Sequence, residues 1–207
     1  MFEFNEELAM KGNGGNSLGK ILPTGVYDIE LLTVSKQVAK TGTIGFDFSF
    51  QVEGAKYPNT VYGMWVKKAD GTDLFGMNIV QGLMGIVGAK TLTEYDKEIE
   101  VKDGKKVVKA FKELDNAKVK VAVQKVYDYY NGKVTEKNEI KAFFSTNGKT
   151  YAETVANKEA KQIVYYSTKL QDGYTEAYKK ALADGELNEK ADTEDAGEET
   201  SSSKGLL

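Results

Sequence analysis

Residues 117–146 read AKVKVAVQKVYDYYNGKVTEKNEIKAFFST. Val119, Val121 and Val123 alternate with Lys118, Lys120 and Gln124, the period-two pattern of a strand with one buried face. The alternation stops at Asn131-Gly132, a dipeptide that accepts the positive φ angles of a tight hairpin turn. A second strand then follows over residues 137–146, so the stretch is a β-hairpin.

Upstream the chain reads in the same way. Residues 26–36 are rich in β-branched and aliphatic side chains after the breaker Pro23-Thr24-Gly25. Residues 44–52 alternate strictly, with Phe46, Phe48, Phe50 and Val52 on one face and Asp47, Ser49 and Gln51 on the other. That row of phenylalanines belongs in a core rather than in a binding site. Residues 60–68 form a third strand ending at the turn Ala69-Asp70-Gly71. Over residues 73–89 the period changes: Phe75, Ile79, Leu83, Ile86 and Val87 recur at helical spacing, and Asp73 is placed to act as N-cap. Residues 151–183 have the Ala, Glu, Lys and Leu content of one or two helices.

The predicted order is three strands, a helix, a charged connector, a two-stranded hairpin and a C-terminal helical segment. This mainly β (α+β) order is that of a five-stranded oligonucleotide/oligosaccharide-binding (OB) barrel with its helix between strands three and four. The Gly- and Asn-rich run KGNGGNSLGK makes residues 1–20 a flexible lead-in to a body spanning 21–183. Residues 184–207 lack aromatics and hold eight acidic residues against Lys190 and Lys204, the composition of a disordered acidic tail.

Composition excludes several chemistries. The 207 residues contain no Cys, no His and no Arg, so all 28 basic side chains are Lys. Disulfides, thiolate nucleophiles, Ser-His-Asp triads and the usual zinc or haem ligand sets are thereby ruled out. Without Arg there is no bidentate fork for reading guanine edges, which argues against a base-reading regulator. The net charge of −3 divides into a tail of −6 and a body of +3. Neither a Walker A nor a Rossmann fingerprint occurs, and the Gly82-x-x-Gly85 and Gly85-x-x-Gly88 spacings fall inside a helix, where they clamp no phosphate. Asp70, Asp73 and the run Glu94, Asp96, Glu98, Glu100 read more simply as a turn and a solvated strand face than as a metal site or an acid-base pair. No enzymatic role, metal or cofactor is expected. The opening MFEFNEELAM lacks the basic and apolar regions of a signal peptide, and no stretch reaches the roughly 20 apolar residues of a membrane helix. An intracellular protein without a membrane partner is expected.

Lys residues interleaved with aromatics point to single-stranded nucleic acid, because phosphates attract cations and unstacked bases need π faces. Residues 101–161 carry 14 Lys against 8 acidic residues, with Lys105, Lys106 and Lys109 clustered. Lys120, Lys125 and Lys133 accompany Tyr127, Tyr129 and Tyr130 along the hairpin. In the third strand, period two places Trp65 and Lys67 on one face and Tyr62, Met64, Val66 and Lys68 on the other. Trp65 with Tyr62, Lys67 and Lys68 forms a second candidate group, flanked by Lys36 and Lys40 in the loop before the second strand.

The block LDNAKVKVAVQKVYDYYNGKVTEKNEIKAFFSTNGKTYAE, residues 114–153, together with Leu22-Pro23-Thr24-Gly25-Val26-Tyr27, resembles the single-stranded DNA-binding proteins of tailed bacteriophages. The resemblance covers residues 20–155 and the tail. It implies an OB barrel that coats single-stranded DNA during phage replication, recombination or repair in the cytoplasm of the infected bacterial host. It further implies contact with phage replication proteins through the acidic tail, and homo-oligomeric or cooperative binding. One departure is the terminus Lys204-Gly205-Leu206-Leu207, where the best-known members end in an aromatic residue. The alternative reading is a phage structural or assembly protein, and a third is a magnesium-dependent nuclease.

Overall fold

The computed structural model describes residues 21–101 and 104–187. The expected lead-in, residues 1–20, and the tail from residue 188 lie outside the described residues.

The chain opens with a meander of β1 (Gly25–Val38), β2 (Ile44–Val52) and β3 (Asn59–Lys67), followed by α1 (Phe75–Val87). Next come β4 (Glu94–Val101) and β5 (Gly104–Phe111), a 3-10 turn (Lys112–Leu114), and the long hairpin β6 (Lys118–Tyr130) and β7 (Lys133–Phe144). Three short helices, α2 (Tyr151–Val155), α3 (Lys161–Lys169) and α4 (Glu176–Ala183), follow, with the two-residue strand β8 (Gly173–Tyr174) before the last.

The fold is mostly β, an open sheet of eight strands that is antiparallel except where β8 joins β6. β1 is its hub. One edge of β1 pairs with β2, while the other is divided between β6, over Gly25 to Glu30, and β5, at Ser35 and Lys36. β3 lies against β7, but no ladder joins them, so hydrogen bonding does not close the sheet into a barrel. Five strands were expected and eight are present among the described residues. Most of the difference is the predicted charged connector, which is itself a hairpin. Asp96 and Glu98 of β4 pair with Lys109 and Lys105 of β5, so the middle of the run of alternating charge is satisfied by its own neighbour.

The core is the one that the alternation predicts. Phe48, Phe50, Phe144, Leu31, Val34 and Val121 are fully buried, and α1 contributes Val80 and Leu83 from its inner stripe. Phe46 packs on Phe111 with ring centroids 4.5 Å apart, and Phe48 on Phe143 at 5.6 Å. The hairpin turn is at Asn131-Gly132, with φ angles of 51° and 76°. Asp73 does not cap α1. It pairs with Lys67 across the β3–α1 turn, and Leu74 occupies the cap position without a side-chain bond. Residues 184–186, assigned by sequence to the tail, close α4 instead: their amides donate to the carbonyls of Lys180, Leu182 and Ala181.

Among the described residues no helix is long and apolar enough to cross a membrane.

Candidate nucleic-acid interface

The outer face of the β1–β2–β3 meander is assembled in rows by strand register. Gln37 stands opposite Gly45, and Gly45 opposite Trp65. In the next row Ser35 stands opposite Asp47 on one side and Ala110 of β5 on the other. Asp47 has no single partner on β3, because the register slips between Phe46 and Phe48. The slip is a β-bulge at Gly63, whose φ of 73° is one that side chains rarely adopt. The Gly63 amide donates to Asp47 Oδ1 at 2.8 Å, which anchors the bulge.

This bulge overturns the period-two expectation for β3. With one extra residue in the strand, Tyr62 and Trp65 both turn outward, 61% and 42% exposed, while Val61 and Val66 are buried and Met64 faces Phe46. Two aromatics that strict alternation separates are thus on one surface.

The indole of Trp65 has a defined bed. A β-carbon on Gly45 would stand 2.8 Å from Cε3 of the ring and 3.0 Å from Cζ3. One on Gly63 would stand 4.0 Å from Cε2 and Cζ2. The six-membered ring therefore lies over backbone bare of side chains on both neighbouring positions, with its other side toward solvent. Gln37 borders it, and its Nε2 donates to Asp47 Oδ1 at 2.8 Å. Burial pushes the Asp47 carboxyl above its usual range, opposed by the Gly63 amide and by the charge of Lys106. By the alternation of β5, Lys106 is on the same side of the sheet as Ala110, the neighbour of Ser35 in this row. Substituting Gly45→Ala should lift the indole from the sheet while leaving the aromatic in place. The expected readout is a shift in Trp65 emission with weaker oligonucleotide binding; an unchanged spectrum would show that the bed does not hold the ring.

The other predicted residues separate into groups. Lys40 is exposed in the β1–β2 turn, and Lys68 lines a shallow groove of about 650 Å³ with Trp65, Thr41, Thr43 and Asp70. Lys40, Lys68, Lys106 and Lys133 make no salt bridge with another of the described residues. Lys36 is in β1 rather than in a loop; it shares the inner side with its partner Phe46 and pairs with Glu94 at 2.7 Å. Lys67 is engaged by Asp73 and by the Gly71 carbonyl. Lys105 and Lys109 face Glu98 and Asp96 across the β4–β5 ribbon at 2.6 and 2.7 Å, and Lys120 pairs with Asp28.

On the hairpin, Lys125 pairs with Glu136 at 2.7 Å and sits 4.5 Å above the Tyr127 ring. Hydrogen bonding to Glu136, then to Tyr127, raises its pKa. Tyr127 stacks on Tyr174 at 5.3 Å and leans on Tyr178, so the C-terminal segment occupies its face. Tyr129 is bonded by Glu186, which raises its pKa, whereas Tyr130 is 71% exposed. The hairpin group is separated from Trp65 by β1 and β2 in the sheet.

Sequence reasoning missed Gln37, Gly45, Asp47 and Gly63. The available signal was a pair of isolated glycines in two neighbouring strands, which marks bulges and close approaches. No known family model matches the chain, and no curated protein matches it significantly in sequence.

Proposed function

We propose that this protein binds single-stranded DNA largely without regard to sequence, through base stacking on Trp65 and lysine contacts to phosphate. The observation that carries this reading is the indole laid over Gly45 and Gly63 with its outer side exposed, on the face to which Tyr62 also turns and in a groove shared with Lys68; Lys40 and Lys106 add charge nearby in the β1–β2 turn and on β5. A Trp needed only for packing would be turned inward, as Met64 and Val66 are; a flat ring beside cations is what an unstacked base and its phosphate require. The binding face is thereby narrowed to the β1–β3 surface, with Tyr130 and Lys133 as outlying contacts and the paired Lys36, Lys67, Lys105, Lys109 and Lys120 contributing less.

The strand order supports an OB-like relationship. The β1–β2–β3 meander, then α1, then the β6–β7 hairpin is the OB sequence of elements, with β4–β5 as an inserted ribbon and β3 approaching β7 at the seam. With the resemblance to phage proteins, the proposal extends to a non-enzymatic role in phage DNA replication, recombination or repair in the host cytoplasm, with replication proteins as partners.

Titration with poly(dT) at low salt should quench Trp65 fluorescence, and duplex DNA should bind more weakly. The logarithm of the binding constant should fall linearly with the logarithm of salt concentration, with a slope near −0.7 per phosphate contacted. Absence of binding at low salt would overturn the proposal.

A further inference from the structure

Asp47 is out of place on a surface for a polyanion. Its structural duties do not require a charge, because the Gly63 amide and Gln37 Nε2 both donate to Oδ1, bonds that the amide oxygen of an Asn would also accept. A carboxylate here repels phosphate, an effect offset by Lys106. Among the described residues Oδ2 accepts no hydrogen bond, and Gln37, whose Nε2 is engaged, keeps its carbonyl oxygen as a further acceptor. Both side chains border the glycine bed of the Trp65 ring, Gln37 at Gly45 and Gly63 and Asp47 through its bonds to Gln37 and Gly63, so that each has an acceptor to spare at this position.

We infer that Asp47, with Gln37, reads the edge of the base stacked on Trp65 and favours bases that offer an amino group, so that cytosine is preferred to thymine at this position. This rests on the proposed DNA-binding role and adds a single-position bias to an affinity otherwise set by stacking and charge. Cytosine and thymine have stacking faces of similar size but opposite functional groups at the same ring position, an amino donor in one and a carbonyl acceptor in the other. Facing Asp47 and Gln37, the first forms hydrogen bonds, whereas the second sets oxygen against oxygen and leaves a partly buried acceptor unsatisfied.

The experiment compares oligo(dC) and oligo(dT) of equal length at pH 8, where cytosine N3 is unprotonated, using Trp65 quenching with the full chain. Wild type should prefer oligo(dC) by about tenfold, the equivalent of one good base contact. Asp47→Asn keeps an oxygen for Gly63 and Gln37 and replaces the free acceptor with a donor, so it should abolish or invert the preference. A ligand-side control avoids any question of folding: replacing cytosine with 2-pyrimidinone, which lacks the amino group, should remove the preference in the wild-type protein. Equal affinities for the two oligonucleotides in wild type, or a preference that survives both changes, would overturn the inference while leaving the DNA-binding role standing. Failure to bind either oligonucleotide at low salt would remove both.

Discussion

Replacing Trp65 with Ala should weaken binding of single-stranded DNA by about one to two orders of magnitude, since a stacked base contributes roughly 1–3 kcal/mol. Stability should change little, because the ring is 42% exposed and its inner side rests on glycine backbone rather than in the core. The two effects are separable in one preparation, by oligonucleotide titration and by thermal melting. Trp65→Phe should recover part of the affinity, because a smaller π face remains, whereas Trp65→Leu should not. If Ala and Phe variants bind as wild type does, stacking is not located at Trp65, and the lysines of the hairpin become the place to look. A melting temperature that falls together with affinity would instead mark the indole as a packing element.

A larger effect on stability is expected at Glu153. Its side chain is 8% exposed and accepts four hydrogen bonds, two on each oxygen. Oε2 takes the amide and hydroxyl of Thr150, completing a capping box at the start of α2. Oε1 takes the amides of Lys161 and Gln162 at 2.9 Å, the first turn of α3. One carboxylate thus satisfies the open N-termini of two helices. Glu153→Ala leaves four donors without it and should cost about 2–4 kcal/mol, a fall of roughly 5–15 °C in melting temperature for a chain of this size.

The same site predicts a pH dependence. Burial by itself pushes the Glu153 carboxyl up, but the Thr150, Gln162 and Lys161 donors together outweigh it, and the pKa lies below the ordinary 4.5. The folded state therefore favours the ionised form. The contribution is fully present above the unfolded-state value and is lost as pH falls through the lower folded-state value. Urea unfolding of wild type should show this loss on acidification, and Glu153→Gln, which cannot ionise, should lack that component. Parallel acid profiles for the two proteins would exclude Glu153 as its source.

The elements most legible in the sequence are those governed by local rules. The strict alternation of residues 44–52 coincides with β2, and its phenylalanines are in the core. Asn131-Gly132 forms the predicted turn because few other dipeptides tolerate two successive positive φ angles. The helical spacing over residues 73–89 yields α1, but its buried face runs through Gly76, Val80, Leu83 and Met84, and Phe75, expected on that face, is 72% exposed. Less legible were β4 and β5. Their alternating charges look solvated when each strand is read alone and become a paired ribbon only when Lys109 is set opposite Asp96 and Lys105 diagonal to Glu98.

Composition by itself determined the chemistry open to this protein: with lysine as its sole cationic side chain and 22 aromatics, it has cations and π faces but neither guanidinium nor imidazole nor thiol. It also determined which side of β2 is core, since a run of phenylalanines at every second position can be buried only on one face. Which aromatics and lysines reach one surface was decided by tertiary structure. A single positive-φ glycine, held by a carboxylate of the neighbouring strand, turns Tyr62 and Trp65 to the same side. Cross-strand carboxylates engage Lys105 and Lys109 but leave Lys106, on the opposite face of β5, with its charge acting toward Asp47. Sequence spacing cannot report these outcomes, because both depend on which residue of another strand stands opposite.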